Sequence, residues 1–159
     1  MRKTIITQSI ENIPIPDLSF LDVERLAQVE FTSECQEHPV ESVLLLTEDS
    51  GAGWRAASPG EQTIRIVFDQ PCTIEHILLV FDEQEQSRTQ EFVLHWLMDS
   101  ESAYREILRQ QYHFSPPNTT REVEHYQVRL CRLKALELKI VPDISGGESY
   151  AKLKLLRLA

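Results

Sequence analysis

Apolar and polar positions alternate with a period of two along most of this chain. In "QTIRIVFD", Ile64, Ile66 and Phe68 share one face and Arg65 takes the other, which predicts a half-buried strand. "CTIEHILLVFDE" follows Pro71. Its run from Ile77 to Phe81 is apolar on both faces, as expected of a strand central to a sheet and covered on both sides. "EFVLHWLMD" alternates Phe92, Leu94 and Trp96 against Val93, His95 and Leu97. "EVEHYQVRLC" sets Tyr126, Val128 and Leu130 inward, and "ALELKIVPD" sets Leu136, Leu138 and Ile140 inward with Glu137 and Lys139 outward. "AKLKLLRLA" changes phase between Leu155 and Leu156, where a β-bulge would re-aim the side chains. Turn signals ("SGAG", "SPGE", "SPPN", "PDISGGE") punctuate these segments, and such a series of short strands predicts an all-β sandwich. Its expected core is Trp54, Phe68, Leu79, Phe92, Trp96, Leu138 and Ile140.

Two stretches break the period. Residues 1–16 read as an extended arm, with Pro14 and Pro16 forcing the path, and "DLSFLDVERLAQ" predicts a short helix. Asp17 or Ser19 would cap that helix, with Leu18, Leu21 and Leu26 on one side. The chain therefore divides into an arm over 1–26, packed on the domain, and a sandwich over 27–159. In "AYREILRQQYHF", Tyr104, Ile107, Leu108 and Tyr112 follow helical spacing, yet the segment lies between strands and ends in Ser-Pro-Pro.

A chain of 159 residues fits one domain able to bury a sizeable core without a covalent staple. With 16 Lys and Arg against 25 Asp and Glu, the formal net charge of -9 repels phosphate backbones, so nucleic acid is not an expected partner. No run approaches ~18 apolar residues, so no membrane helix is expected. The start, "MRKTIITQSIENIPIP", lacks the apolar core of a signal peptide, and Cys35, Cys72 and Cys131 lie far apart. Both features predict free thiols in a reducing cytoplasm.

The order of elements resembles the galactose-binding-domain-like fold, the jelly-roll sandwich of discoidin (coagulation factor 5/8 type C) domains and many carbohydrate-binding modules. The likeness spans about residues 27–159. "VEFTSECQEHPVESVLL" resembles the family's first strand and loop, and "GAGWRAASPGEQTIRIVFDQPCTIEHI" its tryptophan-led strand pair. "FVLHWLMDSESAYREI" is similar to a strand, turn and strand, with Tyr104 where the family carries a second tryptophan. "ALELKIVPDISGGESYAKLKLLRLA" resembles the closing pair. The resemblance implies about eight antiparallel strands and makes 104–112 a strand running into a loop, against its local pattern. The cysteines lie away from the termini, unlike the disulfide that usually joins the ends of a discoidin domain. "TEDSGAG" offers Glu48 and Asp49 where the family often holds calcium, but two carboxylates do not make six to eight oxygen ligands.

The resemblance also implies a binding end built from residues 33–41, 82–90 and 109–120. These loops carry Glu37, His38, Arg88, Gln90, Arg109, Tyr112, His113 and Asn118, a set of planar hydrogen-bonding groups with an aromatic face, which suits a sugar. Trp54 falls outside those loops and reads as a core plug, with Arg55 on the rim. Motifs of nucleophilic, phosphate or zinc chemistry do not occur, and the five histidines are scattered, so neither catalysis, a metal nor a cofactor is expected. Two functions remain open: a non-catalytic ligand-binding module, carbohydrate being the candidate ligand, or a protein-interaction domain with no small-molecule ligand.

Overall fold

The computed structural model describes residues 18–46 and 53–159. In chain order these form a helical turn α1 (Val23–Leu26), strand β1 (Ala27–Phe31), a 3-10 turn (Val40–Val43), and strands β2 (Trp54–Arg55), β3 (Gln62–Asp82) and β4 (Arg88–Met98). Strands β5 (Arg105–Phe114), β6 (Arg121–Val141), β7 (Lys152–Leu153) and β8 (Leu155–Leu158) complete them.

Strands β3 and β6 span 21 residues each, and each bends to serve two sheets. The first half of β3 lies between β1 and the second half of β6, in a five-stranded antiparallel sheet of order β1-β3-β6-β4-β5. Its second half lies between β8 and the first half of β6, giving three strands in the facing sheet. The β3 bend falls at 69–71, where pairing skips from Val67 to Cys72 and Pro71 has no N–H to give to the ladder. The β6 bend falls at Arg132, whose φ of 56° breaks the extended path. Phe81 and Phe92, both fully buried, stack across the two sheets at 5.2 Å, and Ile64, Ile66, Leu79, Leu138, Ile140 and Leu158 fill the same interior.

The alternation seen in the sequence is the alternation of burial along β3: Ile64, Ile66 and Phe68 are buried and Arg65 is not. Of the expected core, Trp54, Phe68, Leu79, Phe92, Leu138 and Ile140 are buried, while Trp96, near the end of β4, is half-buried. Residues 105–114 are strand β5, so tertiary pairing with β4 overrides their helical spacing. Glu137 has the outward phase yet is buried, because Arg65 and His95 from the neighbouring strands close over its carboxylate.

Two local expectations are corrected. The helix is one turn beginning at Val23 with Asp22 at its cap position, and Leu26 is exposed, because the chain turns at Ala27 into β1. Ser19 is not its cap, and Asp17 lies outside the described residues. The change of phase near the end of the chain is a transfer between sheets: β7 pairs with β2, Lys154 donates its N–H to Val80, and β8 then pairs with β3. Before β1 the chain packs on the domain through buried Val23 and a hydrogen bond from Leu21 N–H to Leu158 O. Glu48 and Asp49 also lie outside the described residues.

Candidate ligand-binding cleft

Chain direction brings four connections to one end of the sandwich. Among the described residues they follow β1 (32–46 and 53), β3 (83–87), β5 (115–120) and the second half of β6 (142–151). Between them lies a half-enclosed cleft of about 290 Å³. One wall is the short β2–β7 ladder, which presents Arg55, Lys152 and Lys154; the opposite wall is the β3–β4 turn, with Asp82, Gln84 and Glu85; His38 closes a third side.

Local structure explains each wall. Gly53 has φ of +80°, and a Cβ there would sit 2.7 Å from Leu153 O, so only glycine lets the strand after it approach β7 so closely. The following residue, Trp54, is 1% exposed and donates its indole N–H to Ser33 O at 3.0 Å. It is the floor plug of this end of the sandwich, and Arg55 stands on the rim with its guanidinium 5.1 Å from the Tyr150 ring centre. Residues 35–38 form a tight turn held to β2 by Cys35 N–H to Arg55 O and Arg55 N–H to His38 O.

The β3–β4 turn is anchored from below by Glu83. Its carboxylate is 1% exposed and accepts from Arg88 Nε at 2.7 Å, Lys152 Nζ at 3.0 Å and the Glu85 N–H at 3.1 Å. Burial pushes this carboxyl up, but these three donors outweigh it and hold it at about 2, so it stays charged and locked. Asp82 is held in a two-pronged pair by Arg121 at 2.7 and 2.9 Å. Gln84 and Glu85 above them are exposed.

The eight residues singled out from the sequence do not form one site. His38 lines the cleft, and Glu37 beside it is exposed on the same turn. Arg88 and Gln90 are corrections: both point inward and are buried, because an inward charge on β4 is matched inside the sandwich. Arg88 binds Glu83, Gln90 Oε1 and Pro142 O, with its guanidinium 4.8 Å from the Phe114 ring centre, and Gln90 donates to Glu122. Arg109 is engaged by Glu91 and Glu106 on the outside of the sheet, away from the cleft lining. Tyr112 spends its hydroxyl on Arg121 O, His113 pairs with Thr89, and Asn118 caps the 115–120 turn through its backbone. The third loop meets the second through Glu83 N–H to Thr120 O but contributes nothing to the cleft lining. Its place is taken by Lys152, Leu153 and Lys154, for which the sequence carried no signal beyond strand alternation. Among the described residues no group of three or more His, Cys, Asp or Glu converges on a metal position. The three cysteines are half-buried free thiols, and burial pushes that of Cys72 up.

A five-stranded antiparallel sheet packed on a three-stranded one, with loops gathered at one end, is the galactose-binding-domain-like fold. The chain is similar to the family 32 carbohydrate-binding module of C. perfringens NanJ in complex with galactose, at TM-score 0.61 and 10% identity over 87% of this chain and 96% of that one. It is similar to a pectin binding carbohydrate-binding module at TM-score 0.58 and 16% identity, covering 84% and 89%. Reduced XRCC1 bound to the DNA pol beta catalytic domain gives TM-score 0.57 and 16% identity, covering 84% and 95%. No family model matches the chain, and no curated relative does.

Proposed function

We propose that this protein is a non-catalytic carbohydrate-binding module whose ligand sits in the cleft between the β2–β7 ladder and the β3–β4 turn. The observation that carries this reading is the cleft's construction. Planar hydrogen-bonding groups on two rigid walls (Arg55 against Gln84 and Glu85) stand over an apolar floor, and Glu83 holds both walls in register. Hydroxyls arrayed around a sugar ring need such donors and acceptors at fixed spacing, and rigid walls lower the entropy lost on binding. The sugar-bound and pectin-binding neighbours in fold support the ligand class. Trp54 is too deep to stack on a ring and Tyr112 is turned away, so recognition rests on polar groups, with the modest affinity that implies.

A second reading, docking of a protein on the same end, draws on that missing aromatic platform and on the neighbour solved with a polymerase domain. A glycan array on the purified chain, followed by calorimetry on the best hit, separates the two. The sugar reading expects binding that Gln84→Ala/Glu85→Ala abolishes at unchanged melting temperature, since both side chains are exposed. An empty array, or binding that survives the double substitution, overturns it.

A further inference from the structure

Among the described residues the five-stranded sheet has two unpaired edges, and they differ in kind. Strand β5 is lined with charge: Arg105 pairs with Glu101, and Arg109 with Glu91 and Glu106, a pattern that discourages another strand from adding. Strand β1 is not protected in this way. Among the described residues it pairs with β3 alone, and Thr32 N–H reaching Thr63 O sets the phase of that ladder. Residues 28 and 30 therefore turn their backbone groups toward β3, and 27, 29 and 31 turn theirs outward. Ala27 N–H is used by Val23 O, which leaves the N–H and C=O groups of Val29 and Phe31 presented to an incoming chain.

Beside this edge runs a groove of about 210 Å³, floored by Ala27, Val29, Phe31, Val40 and Leu44. The exposed large hydrophobics of the described residues are Leu26, Phe31, Leu46 and Ile144, and the first three lie in this groove's lining or within two residues of it. Glu24 and Glu41 stand on the groove and are exposed, and Glu30 lies on the opposite face of the strand. Of the neighbouring cations, Arg65 is committed to Glu30 and Glu137, and Arg25 is exposed beside Glu24.

We propose that β1 receives an extended basic peptide of a partner protein as a sixth strand of this sheet. Main-chain hydrogen bonds to Val29 and Phe31 hold the peptide, its apolar side chains enter the groove at every second position, and Lys or Arg residues on that same face, beyond the apolar ones, meet Glu24 and Glu41. Charge selects this occupant over a second copy of the chain. Self-pairing would bring together two molecules of net charge -9, each with glutamates flanking the edge. The inference is independent of the sugar reading, because the groove and the cleft have no lining residue in common.

The probe is a capped nonapeptide with lysine, three valines and lysine at its odd positions and threonine between them, titrated into the isotope-labelled full chain, with glutamate in place of lysine as control. The expected result is that the lysine peptide shifts the Val29 and Phe31 amides and slows their exchange with solvent, that the glutamate peptide does neither, and that affinity falls as salt is raised. Glu24→Lys/Glu41→Lys, both on exposed side chains, should weaken binding tenfold or more while the amide spectrum elsewhere stays unchanged. Phe31→Ser gives a second check through the groove. Three outcomes would each overturn the proposal: edge amides that ignore the lysine peptide, equal binding of both peptides, or a dimer in light scattering that disappears on Phe31→Ser.

Discussion

Glu122 is a carboxyl group where the sandwich should be dry, and its removal as an acid has a calculable effect. It faces inward from β6, 1% exposed, and one oxygen accepts from Gln90 while Oε2 is buried with no donor. Burial, followed by hydrogen bonding to Glu124 and the charge of that group, pushes Glu122 up to about 9 from the usual 4.5, against the smaller opposing pull of Gln90 and Arg88. Protonated, the orphan oxygen becomes a donor to Glu124, whose other contact is the Tyr126 hydroxyl at 3.0 Å. Between pH 4.5 and about 9 the folded chain therefore holds one proton more than the unfolded chain. The stability this confers is fully present below pH 4.5 and is lost as pH rises, at about 1.4 kcal/mol per unit. Glutamine keeps the shape and supplies the donor without titrating. Glu122→Gln should therefore gain about 3 kcal/mol on the wild type between pH 6 and 8, from that slope. Urea unfolding followed by tryptophan fluorescence at pH 5 to 9 measures the difference, and contributions from the histidines cancel because both proteins carry them. Parallel stability curves for the two proteins would refute the buried proton.

Glu83, held at about 2 in the fold, contributes to the acid limb alongside Glu91 and Asp143: its stabilisation is present above pH 4.5 and is lost as pH falls toward 2, and Glu83→Gln should make that limb shallower in the same urea experiment. Arg88→Met should cost about 3–5 kcal/mol by leaving Glu83 buried with Lys152 as its remaining cation. A cost below about 1 kcal/mol, typical of a surface site, would mean that Arg88 is not buried as described. Gly53→Ala must bring a methyl group against Leu153 O at a positive φ and should lower the melting temperature by several degrees, read by calorimetry. Phe92→Ala should cost about 3–5 kcal/mol, since the ring is fully buried and stacks on Phe81; denaturant midpoints give the value.

The sandwich was legible because alternation is a direct image of a strand with one wet face. Ile64, Ile66 and Phe68 against Arg65 could be assigned without any partner, and the structure buries them in that phase. The β5 segment was not legible in this way, because most of its side chains are exposed or half-buried and Phe114 alone in it is fully buried, so no alternation repeats. Its ladder with β4, which no local pattern records, decides it. The candidate site was harder still, since polar residues in loops carry no phase. Arg88 and Tyr112 have the chemistry of ligand-binding groups, but whether such a group faces solvent depends on which carboxylate or carbonyl lies across the sandwich.

The polar residues turned inward at this end have a common physical reason. Where the two sheets close, Arg88, Gln90 and Glu122 are all buried, and Arg88 ties β4 to the β3–β4 turn through Glu83 and to the end of β6 through Pro142 O. An apolar plug would bury the same area but would leave the loops above it free to choose among conformations. Glu83 transmits this order upward, since its remaining oxygen holds both Lys152 on one wall of the cleft and the Glu85 amide on the other. Arg88 and Gln90, chosen from sequence as ligand contacts, thus belong to the network that fixes the walls, while in the proposed site the contacts fall to Arg55, Gln84 and Glu85 above them. Substitutions at Arg88 would therefore reach any ligand in the cleft only through stability, whereas substitutions at Gln84 would reach it directly.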